Sequence, residues 1–309
     1  MESLVQELQD HIFDLFDLES GDDRTSLSAL GRTSKQLVFP TQRRLFNSIF
    51  LHPKGDDDHV ALRRTKELIN LTSPNGGSPH LLTYIKKVDY TNAAASLSLS
   101  EKERIRMEQE CLTFDRLVAG LQATHTLLIT FTPASEESPP DTPFTEDDGE
   151  VQDVQGPIFL ALSAIPNLTA LHVRHALFYP LPAIRWNSLK SVCLNAITLD
   201  FEKISRVLFM VDASGTAGQP RGLDPNFPVS PIEELRINLN LSSDISEFTD
   251  WILGVCRLKN LRYLGVQQLS HAITSPLAGD RDLHESLQRL LSECEDTLEE
   301  LAIDMPRSE

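Results

Sequence analysis

The feature that most constrains the fold is an apolar spacing, L-x-x-L-x-L with conservative variation, that recurs from about residue 80 onward. Five copies are clear: Leu168-Leu171-Val173, Leu189-Val192-Leu194, Ile232-Leu235-Ile237, Leu261-Leu264-Val266 and Leu298-Leu301-Ile303. Two weaker copies come earlier: Ile85-Val88-Tyr90 and Thr124-Leu127-Ile129. Each copy ends in alternation, which is typical of a short strand with one buried face. The recurrence therefore predicts repeated strand-bearing units that pack against one another.

Segments of helical period separate the predicted strands. Apolar residues recur at helical spacing over 201–208, 248–255 and 283–294, and the run 101–121 is long enough for a further helix. Strands that alternate with helices favour an α/β fold with a parallel sheet. Successive copies of the pattern begin at unequal intervals, so the predicted repeats are irregular and carry insertions.

One insertion has a distinct composition. Residues 133–156 are acidic and rich in Pro and Ser, with too few apolar side chains to order themselves. We predict a disordered loop between repeats. The alternative is a segment controlled by phosphorylation, because Thr145 precedes three acidic residues and Ser138 and Thr142 precede prolines.

The net charge of −17 limits the partners of the chain. Binding to nucleic acid or to an anionic membrane needs clustered Lys and Arg, and the basic pieces 63–66 and 102–106 are typical of solvated helix faces. We therefore predict neither kind of partner. The four cysteines lie far apart without a C-x-x-C pair, as expected of reduced thiols. Because no signal core or long apolar run is present, we expect a cytoplasmic or nuclear protein.

The first fifty residues carry more apolar surface than so short a segment can bury on itself. Residues 3–16 have helical period, with most of their apolar side chains on one stripe. We predict a loop over 19–24 and a second helix that includes Leu27, Leu30 and Leu37. A third helix is predicted to begin at Pro40 and to carry Leu45, Phe46 and Ile49 on one face.

This segment resembles the F-box, whose usual pattern is L-P-x-E-L, then I-x-x-x-L, then a second helix that ends in L-x-x-V-[SC]-[KR]. The matching residues are Leu4, Glu7, Leu8, Ile12, Phe16, Leu30, Ser34 and Lys35. Val5 stands where the family usually has Pro, and Thr33 where it has Val. Followed by irregular leucine-rich repeats, the segment is similar to the F-box-like proteins of mushroom-forming fungi.

The resemblance implies an F-box-like helical domain over 1–50 and an irregular leucine-rich-repeat domain with a curved parallel sheet over 51–309. An F-box docks on the Skp-type adaptor of a cullin-based SCF ubiquitin ligase. The adaptor-binding residues would be Leu4, Val5, Glu7, Leu8, Ile12, Phe16, Leu30 and Lys35. From the residues alone, an alternative stays open, namely that these helices only cap the repeats, as solenoids require.

In a leucine-rich-repeat fold, the residues between the buried strand positions point outward and can bind a client protein. Alternation selects His172, Arg174, Asn195, Arg236, Asn238, Tyr263 and Gln267 as client-binding residues. Ala170, Ser191 and Glu234 are expected on the same face. Tyr and Arg are enriched at the energetic centres of protein interfaces, which favours a binding role for the row.

The sequence does not indicate catalysis. It contains no G-x-S-x-G, no P-loop and no G-x-G-x-x-G. His172 and His175, three apart on a predicted strand, would point to opposite faces and form a poor metal site. We predict no enzyme activity, no metal and no cofactor. The predicted function is a substrate receptor of an SCF-type ligase. The alternatives are a repeat scaffold outside any ligase and an α/β enzyme with a doubly wound sheet.

Overall fold

A computed structural model places the repeated pattern in one eight-stranded sheet. The structure describes residues 11–13, 15–16, 20–52, 59–73, 75–95, 101–133, 165–174, 188–197, 229–239, 242–268 and 279–304. The described helices are α1 (Gly21–Thr33), α2 (Lys35–Leu45), α3 (His59–Thr72), α4 (Glu101–Val118), α5 (Ser242–Val255) and α6 (Gly279–Cys294), with a 3-10 turn over Pro79–Tyr84. The described strands are β1 (Ser48–Leu51), β2 (Lys87–Ala95), β3 (Thr126–Pro133), β4 (Ala170–Arg174), β5 (Ser191–Ile197), β6 (Glu234–Leu239), β7 (Tyr263–Gln268) and β8 (Glu300–Asp304).

The sheet has a simple topology. Each strand pairs in parallel with the next strand along the chain, so the spatial order is β1 to β8 without reversal. A doubly wound sheet would reverse its strand order at a switch point, and this sheet does not. The prediction of an α/β fold with a parallel sheet is confirmed.

The repeated apolar positions form the core. In the copy Leu189-Val192-Leu194, all three side chains are fully buried. In the copy Ile85-Val88-Tyr90, the exposed fraction of each side chain is 2% or less. Side chains of α4, α5 and α6 complete the same hydrophobic cluster. Burial of one such Leu is worth roughly 1.5–3 kcal/mol, so the pattern stabilises the whole sheet. Leu301 and Ile303, at the equivalent positions of β8, are 44% and 46% exposed, in contrast to Ile49 and Leu51 on the other edge strand, β1.

Three of the predicted helices after residue 100 are confirmed. The run 101–121 contains α4, the segment 248–255 lies in α5, and 283–294 lies in α6. The predicted helix over 201–208 lies outside the described residues. So does the insertion 133–156 apart from Pro133, together with its candidate phosphorylation sites.

The N-terminal helices begin at other residues than predicted. The loop expected over 19–24 is wrong from Gly21 onward, where α1 begins. The hydroxyl of Ser20 accepts a hydrogen bond from the N–H of Asp23 at 3.4 Å and so caps the helix. Asp22 and Asp23 lie in the first turn, where the positive end of the helix dipole stabilises their negative charges. Acidic residues that are often found in loops therefore begin a helix at this point.

The predicted third helix is also wrong in its bounds. Pro40 lies inside α2, which begins after Ser34, and the Ser34 hydroxyl accepts from the N–H of Gln36 at 3.3 Å. The helix ends at Leu45, and Ile49 lies on β1 instead of a helical face. Ile49 and Leu51 are buried in alternation, as on the other strands. The predicted boundary at residue 50 therefore falls within the first strand.

The N-terminal helices pack tightly against each other. Leu27 of α1 is fully buried, and Thr41 of α2 is nearly so. A Cβ atom on Gly31 would lie 2.9 Å from Thr41 Cγ2, so glycine allows the close approach of α1 and α2. Phe46 follows α2 and packs on the hydrophobic core, which joins the end of α2 to that core.

Candidate protein-binding face

The face of the sheet opposite the buried pattern carries the candidate site. On β4 to β7, every second side chain lies in the core and the intervening ones are half-buried or exposed. We call the intervening set the open face: Ala170, His172, Arg174, Ser191, Cys193, Asn195, Glu234, Arg236, Asn238, Tyr263, Gly265 and Gln267. The alternation follows from the extended backbone, which points successive side chains to opposite faces.

The strand register arranges the open face in three rows. The rows are Ala170–Ser191–Glu234–Tyr263, His172–Cys193–Arg236–Gly265 and Arg174–Asn195–Asn238–Gln267. Adjacent members of a row are one strand spacing apart, about 4.8 Å. All seven residues predicted to bind a client are thus brought together on four adjacent strands. Their role in binding stays a prediction.

Glu234 organises one group of contacts on the open face. Its Oε2 accepts a hydrogen bond from Ser191 Oγ at 2.7 Å, and its Oε1 accepts one from Arg236 Nε at 2.7 Å. Burial acts to raise the pKa of Glu234, but the hydrogen bonds from Ser191 and Arg236 outweigh it and hold the pKa below its usual value. The guanidinium of Arg236 also lies 4.7 Å from the centre of the Tyr263 ring. Arg236 is therefore held between a carboxylate and an aromatic face.

Gly265 provides the space for this arrangement. A Cβ atom there would lie 3.1 Å from Tyr263 Cε1 and 3.6 Å from Arg236 Cγ. A larger residue at this position would displace the ring or the arginine, so Gly265 belongs to the site although it has no side chain. The sequence pattern marks the position as outward-facing but does not show which neighbours need the space.

Side-chain amides form a second group. Asn238 Nδ2 donates to Asn195 Oδ1 and to Gln267 Oε1, both at 3.0 Å, so one amide group bridges three strands. Asn238 Oδ1 is buried and has no hydrogen-bond donor within the part of the chain that the structure describes. A buried acceptor without a donor costs free energy, so this oxygen reduces the net stabilisation that the amide group provides.

Burial and nearby charges shift the pKa values of His172 and Cys193, in the middle row of the open face. Burial lowers the pKa of His172, and Glu234 opposes this effect while Arg174 adds to it, so the imidazole is neutral at pH 7. Burial likewise raises the pKa of the Cys193 thiol, which stays protonated. Arg174 is exposed and has no hydrogen bond or ion pair with another described residue. Its guanidinium is an exposed cation of the open face.

The predicted adaptor-binding residues are only partly described. Leu4, Val5, Glu7 and Leu8 lie outside the described residues. Ile12 is 42% exposed and Lys35 is exposed, whereas Phe16 and Leu30 are half-buried. The backbone oxygen of Phe16 accepts a hydrogen bond from Arg44 Nη2 at 3.5 Å, which ties the start of the chain to α2.

Two exposed apolar side chains of the head were not among the predicted adaptor-binding residues. Leu15 is 73% exposed and Phe39 is 63% exposed. The Phe39 ring meets His80 edge to face at 6.3 Å, and His80 meets Tyr84 in the same way at 5.9 Å. Phe39 was assigned to no face because Pro40 was expected to start a helix. A helix over Lys35–Leu45 would have placed Phe39 opposite the buried Thr41.

No family model, curated protein or solved structure matches the chain. None of the described helices is long and apolar enough to cross a membrane. Within the described ranges, no three His, Cys, Asp or Glu side chains are grouped so that they could hold a metal ion. His175, the second histidine of the predicted strand, lies outside those ranges.

Proposed function

We propose that the chain is the substrate-receptor subunit of an SCF-type ubiquitin ligase. In this proposal, an F-box-like head binds a Skp-type adaptor, and a curved sheet of irregular leucine-rich repeats binds a client protein. The observation that carries the proposal is a helical head with large exposed apolar side chains, joined directly to a sequentially ordered parallel sheet with a polar open face.

Exposed apolar surface on the head supports adaptor binding. Ile12, Leu15 and Phe39 each leave a large part of the side chain in water although the adjacent sheet has a continuous core. Covering a fully exposed side chain of this size is worth roughly 1.5–3 kcal/mol. These side chains are 42% to 73% exposed, so a partner that buries them gains a corresponding part of that free energy. A pure cap would instead turn these residues toward the repeats.

The sheet supports a repeat solenoid over a doubly wound enzyme. Strands follow one another in chain order, and each contributes buried side chains at the same two register positions. In a solenoid, every unit contacts its neighbours in this way. A doubly wound enzyme would instead reverse the strand order and carry helices on both faces.

The open face supports client binding. Arg236 and Tyr263 are of the residue types that dominate interface energetics, and they are preorganised by Glu234 and Gly265. The exposed guanidinium of Arg174 adds hydrogen-bond donors to the same face. The chain would carry out no chemistry itself. It would raise the effective concentration of the client near the conjugating enzyme.

Mixing the purified chain with a purified Skp-type adaptor tests the proposal. We expect one complex on gel filtration and a measurable heat of binding by calorimetry. Ile12→Asp should weaken binding by about tenfold or more, because it puts a charge in an apolar contact. Ile105→Asp is the matched control, since Ile105 on α4 is 43% exposed and Ile12 is 42% exposed, and it should bind as the wild type. The proposal fails if the wild type forms no complex or if Ile12→Asp binds unchanged.

A further inference from the structure

The edge strand β8 leaves apolar side chains in water. Leu301 and Ile303 occupy the positions that form the core on the other strands, and yet they are 44% and 46% exposed. The equivalent residues of the opposite edge strand β1, Ile49 and Leu51, are 8% and 2% exposed. The uncovered core positions therefore belong to the β8 end of the sheet and are not shared by its other edge.

The backbone of β8 pairs on one side only within the part of the chain that the structure describes. β7 is its neighbour, and no described strand lies beyond it. The N–H of Glu300 donates to the carbonyl of Arg262 at 3.0 Å. Residues of a parallel strand bond alternately to its two sides, so the N–H and C=O groups of Leu301 and Ile303 point away from β7. An edge of this kind is a template for one further strand.

A row of alternating charges leads up to this edge. Lys190, Glu233, Arg262 and Glu299 each precede one of the strands β5 to β8, in that order, and backbone hydrogen bonds join them. Lys190 Nζ lies 2.9 Å from Glu233 Oε1, and Arg262 Nη2 lies 2.6 Å from Glu299 Oε1. Glu299 and, to a smaller extent, Glu233 raise the pKa of Arg262, because this cation lies between two carboxylates. The row ends on an acidic residue, so a cation is the favoured next member in a further strand.

The acidic residues of β8 itself favour the same kind of partner. Glu300 begins the strand and is exposed, and Asp304 is the last residue of the strand. A second copy of the chain fits this edge poorly. The register that pairs the whole of β8 with itself, antiparallel about Ala302, sets Glu300 opposite Asp304, and like charges directly opposite are destabilising. Each copy also has a net charge of −17, so a cationic partner is favoured over a second copy.

We propose that the edge of β8 binds a basic, extended peptide as a ninth strand of the sheet. The peptide backbone would pair with the outward groups of Leu301 and Ile303, and its apolar side chains would cover those two residues on the core side. Lys or Arg at the intervening positions would lie near Glu300 and would continue the row of alternating charges. In strand addition, main-chain hydrogen bonds provide the affinity and the alternating side chains provide the selectivity. The proposal does not depend on adaptor binding by the head.

Fluorescence anisotropy with the full chain tests this site, at about 0.15 M salt so that exposed charges are partly screened. The probe is labelled Lys-Lys-Val-Lys-Val-Lys. The control peptide is Lys-Lys-Lys-Lys-Val-Val, which has the same composition and charge but lacks the alternation. We expect the probe to bind about tenfold more tightly than the control, because only the probe can place both Val side chains on one face and Lys on the other.

Variants of β8 and of a distant helix test the location. Leu301→Lys should weaken binding of the probe by about tenfold or more, because it replaces an apolar contact with a charge of the same sign as the peptide. Leu71→Lys is the matched control, since Leu71 is 39% exposed on α3, which packs near β1 and β2, and it should bind as the wild type. Glu300→Gln should weaken binding about two- to fivefold, as expected for an exposed ion pair, and Glu67→Gln on α3 should not.

Amide hydrogen exchange followed by NMR locates the bound peptide. The probe should slow exchange at Leu301 and Ile303, whose N–H groups point outward, more than at Glu300, whose N–H is already bonded. The proposal is overturned if the control peptide binds as tightly as the probe, if Leu301→Lys binds the probe as well as the wild type, or if exchange at Leu301 and Ile303 is unchanged. A wild-type dimer in analytical ultracentrifugation that Leu301→Lys converts to a monomer would also overturn it, in favour of a second copy at this edge.

Discussion

The substitutions Leu194→Ala and Asn195→Ala, on neighbouring residues of β5, separate the two faces of the sheet. Leu194 is fully buried and lies in register between Val173 and Ile237, which are also buried. Truncation of a buried Leu costs about 2–5 kcal/mol, and strands on both sides leave this site little freedom to collapse, so we expect about 3–4 kcal/mol. Asn195 is half-buried and accepts one hydrogen bond, from Asn238, so Asn195→Ala should cost about 1 kcal/mol.

Urea unfolding followed by circular dichroism measures both losses, from the shift of the midpoint and the slope of the transition. The slopes should match that of the wild type, because neither change alters the surface exposed on unfolding very much. If Asn195→Ala loses as much free energy of unfolding as Leu194→Ala, the assignment of faces on β5 is wrong. A loss below about 1 kcal/mol for Leu194→Ala would contradict the core position of the repeated pattern.

Three further predictions concern single residues. The pKa of Glu234 is lowered in the folded state, so its contribution to stability is present above the pKa of the unfolded chain and is lost as the pH falls through the folded value. The difference in free energy of unfolding between wild type and Glu234→Gln should shrink on acidification, and a growing difference would refute this. Gly76→Ala should lower the free energy of unfolding by about 2 kcal/mol or more, because the added Cβ would lie 1.8 Å from the backbone oxygen of Asn70. An unchanged melting temperature would contradict that packing. Burial raises the pKa of Cys256 to about 11, so only about one thiol in a thousand is ionised at pH 8. Alkylation followed by mass spectrometry should find Cys256 unreactive until the chain unfolds. Fast labelling of the folded chain would show that the thiol is accessible.

The repeated strands were predictable because each strand uses the same local rule. Leu171 and Val173 alternate with His172 and Arg174, and the structure buries the first pair and leaves the second on the open face. The same rule applied to Phe46, Ile49 and Leu51 would have found β1. It was overlooked because Pro40 and a cluster of apolar residues favoured a helix over the same stretch.

The contacts within the candidate site were less predictable. Alternation places Arg236 and Tyr263 on one face, but the contact between the guanidinium and the ring depends on the register of β6 and β7 and on the missing side chain of Gly265.

Hydrogen–deuterium exchange of the full chain, with and without a purified Skp-type adaptor, locates the surface that the adaptor covers. We expect the adaptor to slow exchange in the helical head, over residues 11–16, α1 and α2, and to leave exchange in the strands β4 to β7 unchanged. Unchanged exchange throughout the head at saturating adaptor, or protection confined to β4 to β7, would contradict the assignment of the head as the adaptor-binding part of a ligase receptor.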